Sequence, residues 1–107
     1  MRQLTARDLN SLLQGEPEVR PRMIDVREPW EFQLASIAGS IHLPMGEIPS
    51  RIQEIDSTHP TVVICHHGVR SLQVVAYLVR QGFENLHNLQ GGIDAWSREV
   101  DPTVPFY

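Results

Sequence analysis

Seven consecutive residues, Cys65-His66-His67-Gly68-Val69-Arg70-Ser71, bring together a sulfur nucleophile, two imidazoles, a glycine and a permanent cation. A cysteine reacts as its thiolate, and an ordinary thiol with a pKa of about 8.5 is mostly protonated at pH 7. Helix N-termini and neighbouring cations lower that value to roughly 3.5–7.5. Cys65 follows the apolar run Thr61-Val62-Val63-Ile64 and precedes the most regular helical pattern of the chain. It therefore stands at the carboxyl end of a strand, where open α/β sheets bind their ligands. The loop of His66, His67, Gly68, Val69 and Arg70 is expected to curl its N–H groups inward as an anion nest backed by the helix dipole. Gly68 supplies the positive φ such a turn requires. The expectation is a thiolate nucleophile whose nest would also hold an anionic sulfur carried on it.

Blander fates compete for the same residues. A lone cysteine is more often a small buried hydrophobe, but a place between a strand and a glycine-bearing loop argues for chemistry. Cys-His-His also suggests a metal. Adjacent side chains rarely converge on one ion, and no fourth ligand is suitably spaced, so no metal is expected. His66 and His67 are read as shaping the mouth of the pocket, where either could assist proton transfer. Asp25 and Arg27, at the end of a neighbouring strand, are read as an ion pair supporting the loop. Trp30, Phe32 and Trp96 read as core anchors, and Gly91-Gly92 as a point of close backbone approach.

The elements that must position this loop follow from spacing. Thr5 with Asp8 forms a capping box for a helix with Leu9, Leu12 and Leu13 on one face, stopped by Gly15. Arg22 to Val26 reads as a strand, Pro29 to Leu34 as a short helix opened by proline, and Ser40 to Leu43 as another strand. Pro49 to Ile55 reads as a short helix with Ile52 and Ile55 inward. Thr61 to Ile64 is apolar on both alternating faces, as in a strand covered on both sides. Ser71 to Gln81 is the clearest helix, with Leu72, Val75, Ala76 and Val79 at i, i+3, i+4 and i+7. A strand over Asn85 to Leu89 and a helix over Ile93 to Glu99 complete the series. Strands alternating with helices imply an α/β fold with parallel strands between helical layers.

Composition bounds the rest. A length of 107 residues reads as a single domain, with a core over about residues 4–99 and a tail over 100–107 lying against its surface. A net charge of −4 argues against a nucleic-acid partner. Nine arginines and no lysine exclude Schiff-base chemistry and a P-loop lysine. A single cysteine forms no internal disulfide and suits a reducing compartment. The opening MRQLTARDLN holds no apolar run of the signal-peptide kind, and no stretch is long enough to cross a membrane, so the expected location is the cytoplasm.

The loop CHHGVRS resembles the active-site loop of rhodanese domains, of the form Cys-x-x-Gly-x-Arg-Ser. IDVREPWEF, IAGSIHLP and LQGGIDAW match supporting segments of that family in the same order, so the resemblance covers the chain from about residue 4 onward. It implies a three-layer α/β/α fold with a central parallel sheet of about five strands. It also implies a sulfurtransferase that takes sulfane sulfur from thiosulfate or a persulfide, holds it as a persulfide on Cys65, and passes it to a thiol, a protein acceptor or cyanide, without a cofactor. In the family the residues corresponding to Asp25 and Arg27 flank the active-site loop, so Arg27 could attract an anionic donor. The closing VDPTVPFY is similar to the end of rhodanese domains fused behind sulfur-carrier-activating enzymes.

Two other members of the same fold frame the alternatives. Phosphatase and arsenate-reductase relatives place five residues between cysteine and arginine, whereas four separate Cys65 from Arg70. The shorter cradle suits a sulfur atom better than a tetrahedral oxyanion. Non-catalytic rhodanese-like binding domains usually lack the cysteine. This chain departs from the family at Ser36-Ile37-Ala38-Gly39, where His-Ile-Pro-Gly is usual. Its loop also lacks the lysine of some thiosulfate-preferring members, which points to a protein persulfide as donor.

Overall fold

The computed structural model describes residues 2–107, with Arg2 described through its backbone alone. Its strands are β1 (Arg2–Leu4), β2 (Arg22–Asp25), β3 (Ile41–His42), β4 (Thr61–Ile64) and β5 (Leu86–Leu89). Its α-helices are α1 (Ala6–Leu13), α2 (Pro29–Leu34), α3 (Val69–Arg80) and α4 (Gly92–Glu99), with short 3-10 turns at Pro17–Val19, Met45–Glu47 and Pro49–Glu54. The strands form one parallel sheet in the order β1-β5-β4-β2-β3.

Burial explains why the sheet is sandwiched. Every residue of β4 is buried, and successive side chains of a strand point to opposite faces. Val62 and Ile64 accordingly join Leu9 of α1 and Ile93 and Trp96 of α4 in one apolar cluster. Val63 and Cys65 join Val74, Val75 and Leu78 of α3 in the other. Two cores back to back make the three layers that the alternating elements imply, and they aim the Cys65 side chain toward α3.

Local chemistry sets the ends of the elements. Thr5 caps α1 by accepting a hydrogen bond from the Asp8 N–H at 3.0 Å, and the Asp8 carboxylate in turn accepts one from the Thr5 N–H. Pro29 opens α2, whose first turn is closed by the reciprocal pairing of Glu28 and Glu31.

Four expectations shift. Strand β1 pairs with β5 from Arg2↔His87 to Leu4↔Leu89, ahead of the first expected element. Helix α3 begins at Val69 rather than Ser71, and its buried stripe is Ser71, Val74, Val75 and Leu78, while Val79 faces solvent. Trp30 is not a core anchor, being 61% exposed, and nor is Phe32, which is half-buried against the His42 ring; Trp96 is, at 6%. The tail does more than cover the surface, because Val104 enters the core cluster of α1 and α4.

Candidate active site

Because β5, β4 and β2 are neighbours in a parallel sheet, the loops that follow them open on the same edge. Cys65 sits there, 1% exposed. Its Sγ accepts a hydrogen bond from the Gly68 N–H at 3.1 Å, and the Ser71 Oγ lies 3.2 Å away. The Gly68 φ of 98° turns that N–H inward, a conformation costly for a residue with a Cβ.

Ser71 links the sulfur to the sheet. The Asn88 amide donates to Gln3 Oε1 at 3.0 Å and to the Gly68 carbonyl at 3.1 Å. Its Oδ1 is therefore the acceptor that faces the Ser71 hydroxyl. One hydroxyl proton thus has two acceptors. With a neutral thiol, Ser71 can donate to Asn88 and accept from sulfur; with a thiolate or persulfide, it can donate to sulfur.

The loop is clamped from the other side. The Ile93 N–H donates to the Cys65 carbonyl at 2.9 Å and the Asp94 N–H to the His66 carbonyl at 3.1 Å. The start of α4 thereby takes up the carbonyls of Cys65 and His66. Such closeness depends on Gly92: a Cβ there would lie 2.3 Å from the His66 oxygen and 2.5 Å from the Cys65 oxygen.

Charges beside the loop are paired rather than open. Arg70 grips Glu31 through Nη1 and Nη2 at 2.7 and 2.9 Å. That grip outweighs burial and holds the Glu31 carboxyl down at about 2. Arg27 is 0% exposed and forms a forked pair with Asp25, its Nη2 2.7 Å from Oδ2. The Tyr107 hydroxyl joins the two pairs, accepting from Arg27 Nη1 at 2.8 Å and donating to Glu31 Oε2 at 2.8 Å. Burial, opposed by the Arg27 hydrogen bond, pushes its phenol up to about 12.

His66 and His67 line the mouth. The His66 ring stacks on Tyr107 at 3.9 Å and 7°, and on His67 at 3.9 Å and 29°. Burial, reinforced by His67, lowers the pKa of His66 and favours the neutral ring. Asp94 brings a carboxylate to the same place, so that ligand atoms of His66, His67 and Asp94 lie within 4.8 Å of one another. Sequence spacing hid this third group. Stacked rings hold their in-plane lone pairs in nearly parallel planes, however, so both could reach one ion only if a ring left the stack.

Of the residues singled out from sequence, Cys65, Gly68 and Ser71 meet at the sulfur, with His66 and His67 on the rim. Val69 points to solvent, 67% exposed. Arg70 stands beside the loop but shares its charge with Glu31. Asp25 and Arg27 form the expected ion pair, yet Arg27 is closed off from any incoming donor. Sequence reading missed Glu31, Asn88 and Tyr107. Two of them carried a signal: Glu31 is a carboxylate within the short Pro29–Leu34 helix, and Asn88 an amide in a strand with leucine at both ends.

Comparison with known proteins agrees with this geometry. The rhodanese-like domain family model matches residues 5–99. A sulfurtransferase of Allochromatium vinosum is 42% identical over 82 residues, 77% of each chain. A thiosulfate sulfurtransferase of Vibrio cholerae is 32% identical over 91 residues, 85% of this chain and 86% of that one. A rhodanese-like/PpiC domain-containing chloroplastic protein of Arabidopsis thaliana is 39% identical over 90 residues, and this chain spans only 30% of its length. Among solved structures, a rhodanese-related protein from Thermoplasma volcanium superposes with a TM-score of 0.82 at 33% identity, covering 94% of both chains. The chain belongs to the rhodanese-like domain family.

Proposed function

We propose that the chain is a rhodanese-type sulfurtransferase that carries sulfane sulfur as a persulfide on Cys65. The observation that carries this reading is the Cys65 sulfur held by the Gly68 N–H and Ser71 at the carboxyl end of β4. The named sulfurtransferases among its relatives support the same reading.

The chemistry is two displacements at sulfur. The Cys65 thiolate attacks the outer sulfur of a donor R–S–S⁻; the new S–S bond forms as the donor's own breaks, and R–S⁻ leaves (sulfite, when thiosulfate is the donor). A thiophilic acceptor then attacks the terminal sulfur of Cys65–S–S⁻ and returns the thiolate. Electrons balance within each step, and neither needs a metal or organic cofactor. Preorganised N–H and O–H donors stabilise the anion at each stage. As the sole cysteine of these 107 residues, Cys65 has no resolving partner among them. Such a free thiol fits a reducing cytoplasm.

Charge pairing supports a persulfide as the preferred donor. Thiosulfate is a dianion and calls for an uncompensated cation, but Arg70 is spent on Glu31 and Arg27 on Asp25. A thiol-derived persulfide, small-molecule or protein-borne, makes less demand for positive charge. Rates of sulfur loading from thiosulfate and from a persulfide are therefore expected to favour the persulfide by at least about tenfold. Glu31→Gln, which leaves Arg70 its charge, is expected to raise loading from thiosulfate selectively. Equal rates from both donors, with no gain in Glu31→Gln, would overturn the donor assignment.

A further inference from the structure

The family model ends at residue 99, yet the chain returns to the sulfur site in its last residue. After α4, the Val100 and Asp101 N–H groups both donate to the Trp96 carbonyl, at 2.9 and 3.0 Å, turning the backbone off the helix. Val104, 8% exposed, then inserts into the core cluster that holds Trp96. Together these fix the direction of the final three residues. Tyr107 lands with its hydroxyl between Arg27 and Glu31 and its ring flat against His66. Trp30, from α2, meets the same ring edge-on at a centroid distance of 5.9 Å.

We propose that Tyr107 is a positioning residue of the sulfur-transfer site, setting Arg70 through Glu31 and holding the His66 ring at its mouth. This rests on the sulfur-transfer reading of Cys65.

The wiring explains why a phenol suits the place. Its hydroxyl is at once acceptor and donor, so it can stand between the guanidinium of Arg27 and the carboxylate of Glu31. Phenylalanine would leave both without that contact. Glu31 has four donors in all: both Arg70 nitrogens, the Glu28 N–H and the Tyr107 hydroxyl. Losing one loosens a carboxylate whose other task is to aim Arg70. The aromatic face has a second task. Tyr107 covers one face of His66 and His67 the other, so the imidazole can neither swing across the opening nor fully hydrate.

Tyr107→Phe and Tyr107→Ala separate the two tasks. Tyr107→Phe keeps the stack and loses the bridge; it is expected to raise KM for a persulfide donor by about tenfold with little change in kcat. Tyr107→Ala is expected to lose more, and phenylalanine to restore part of that loss. Titration of the His66 imidazole by NMR gives an independent readout. The groups facing it are His67, Glu31, Asp94, Arg70 and Tyr107. Uncovering one face in Tyr107→Ala is expected to move its pKa up toward the ordinary histidine value, and Tyr107→Phe to leave it low. Kinetic constants within twofold of the unmodified protein in both variants would overturn the proposal, as would an unmoved His66 titration in Tyr107→Ala. Failure of the unmodified protein to take up sulfur would instead refute the reading of Cys65, a result distinct from either.

Discussion

Gly92→Ala is expected to lose sulfur transfer and a large share of the stability of the fold. The residue has a φ of 62°, and its Cβ would overlap the carbonyls of Cys65 and His66. These are backbone atoms and cannot rotate away. Adopting left-handed backbone with a side chain costs about 1–2 kcal/mol. Pushing the loop off α4 also gives up the hydrogen bonds from Ile93 and Asp94, at about 1 kcal/mol each. A total of about 3–4 kcal/mol is a large share of the roughly 5–15 kcal/mol that stabilises a domain of this size. Gly82→Ala provides the control, since Gly82 also has a positive φ, of 93°, but its Cβ would meet nothing within 4 Å. That variant should show only the conformational cost, with unchanged sulfur loading. Denaturant unfolding of the two variants measures the difference. Equal losses would mean that close approach of the loop to α4 contributes nothing beyond backbone strain.

The second large effect concerns the buried pair behind the loop. Asp25 is 0% exposed and accepts from the Arg27 backbone N–H at 3.1 Å as well as from its guanidinium at 2.7–3.1 Å. Asp25→Asn leaves a buried guanidinium without its counter-charge, and breaking such a pair costs about 3–5 kcal/mol. Much of that cost is the stranded charge. The double replacement Asp25→Leu with Arg27→Met is therefore expected to be more stable than Asp25→Asn, although it also removes the Arg27 contact to Tyr107. A double-mutant cycle followed by urea unfolding checks this. A loss under about 1 kcal/mol in Asp25→Asn would show that the pair is dispensable to the fold.

Much of the architecture was legible because the strands are short apolar runs bounded by proline, glycine and polar residues. Four-residue β4 and the glycine after Cys65 located the nucleophile without any knowledge of distant contacts. Other features needed the fold. Strand β1 is Arg-Gln-Leu, three residues with little apolar pattern, and it becomes a strand only through pairing with β5. Helix α3 is apolar nearly all round, VVAYLV, so several stripes fit a helical period equally well; the choice fell to Ser71 facing Cys65 and Val74, Val75 and Leu78 facing the sheet.

Helix α2 inverts the usual pattern for the same kind of reason. Trp30 faces out and Glu31 faces in, because the inward place is an ion pair with Arg70 rather than an apolar core. Functional sites are where local rules are expected to break. Glu31 and Arg70 are 39 residues apart, and Tyr107 lies 76 from Glu31. No local pattern joins residues so far apart in sequence, whereas the motif CHHGVRS was complete within itself.

The most direct test is intact-mass measurement of the protein after incubation with a persulfide donor and removal of excess reagent. The account predicts a gain of one sulfur atom, discharged by cyanide or an acceptor thiol and absent from Cys65→Ser. A protein that gains no sulfur, or gains it equally in Cys65→Ser, would contradict the account.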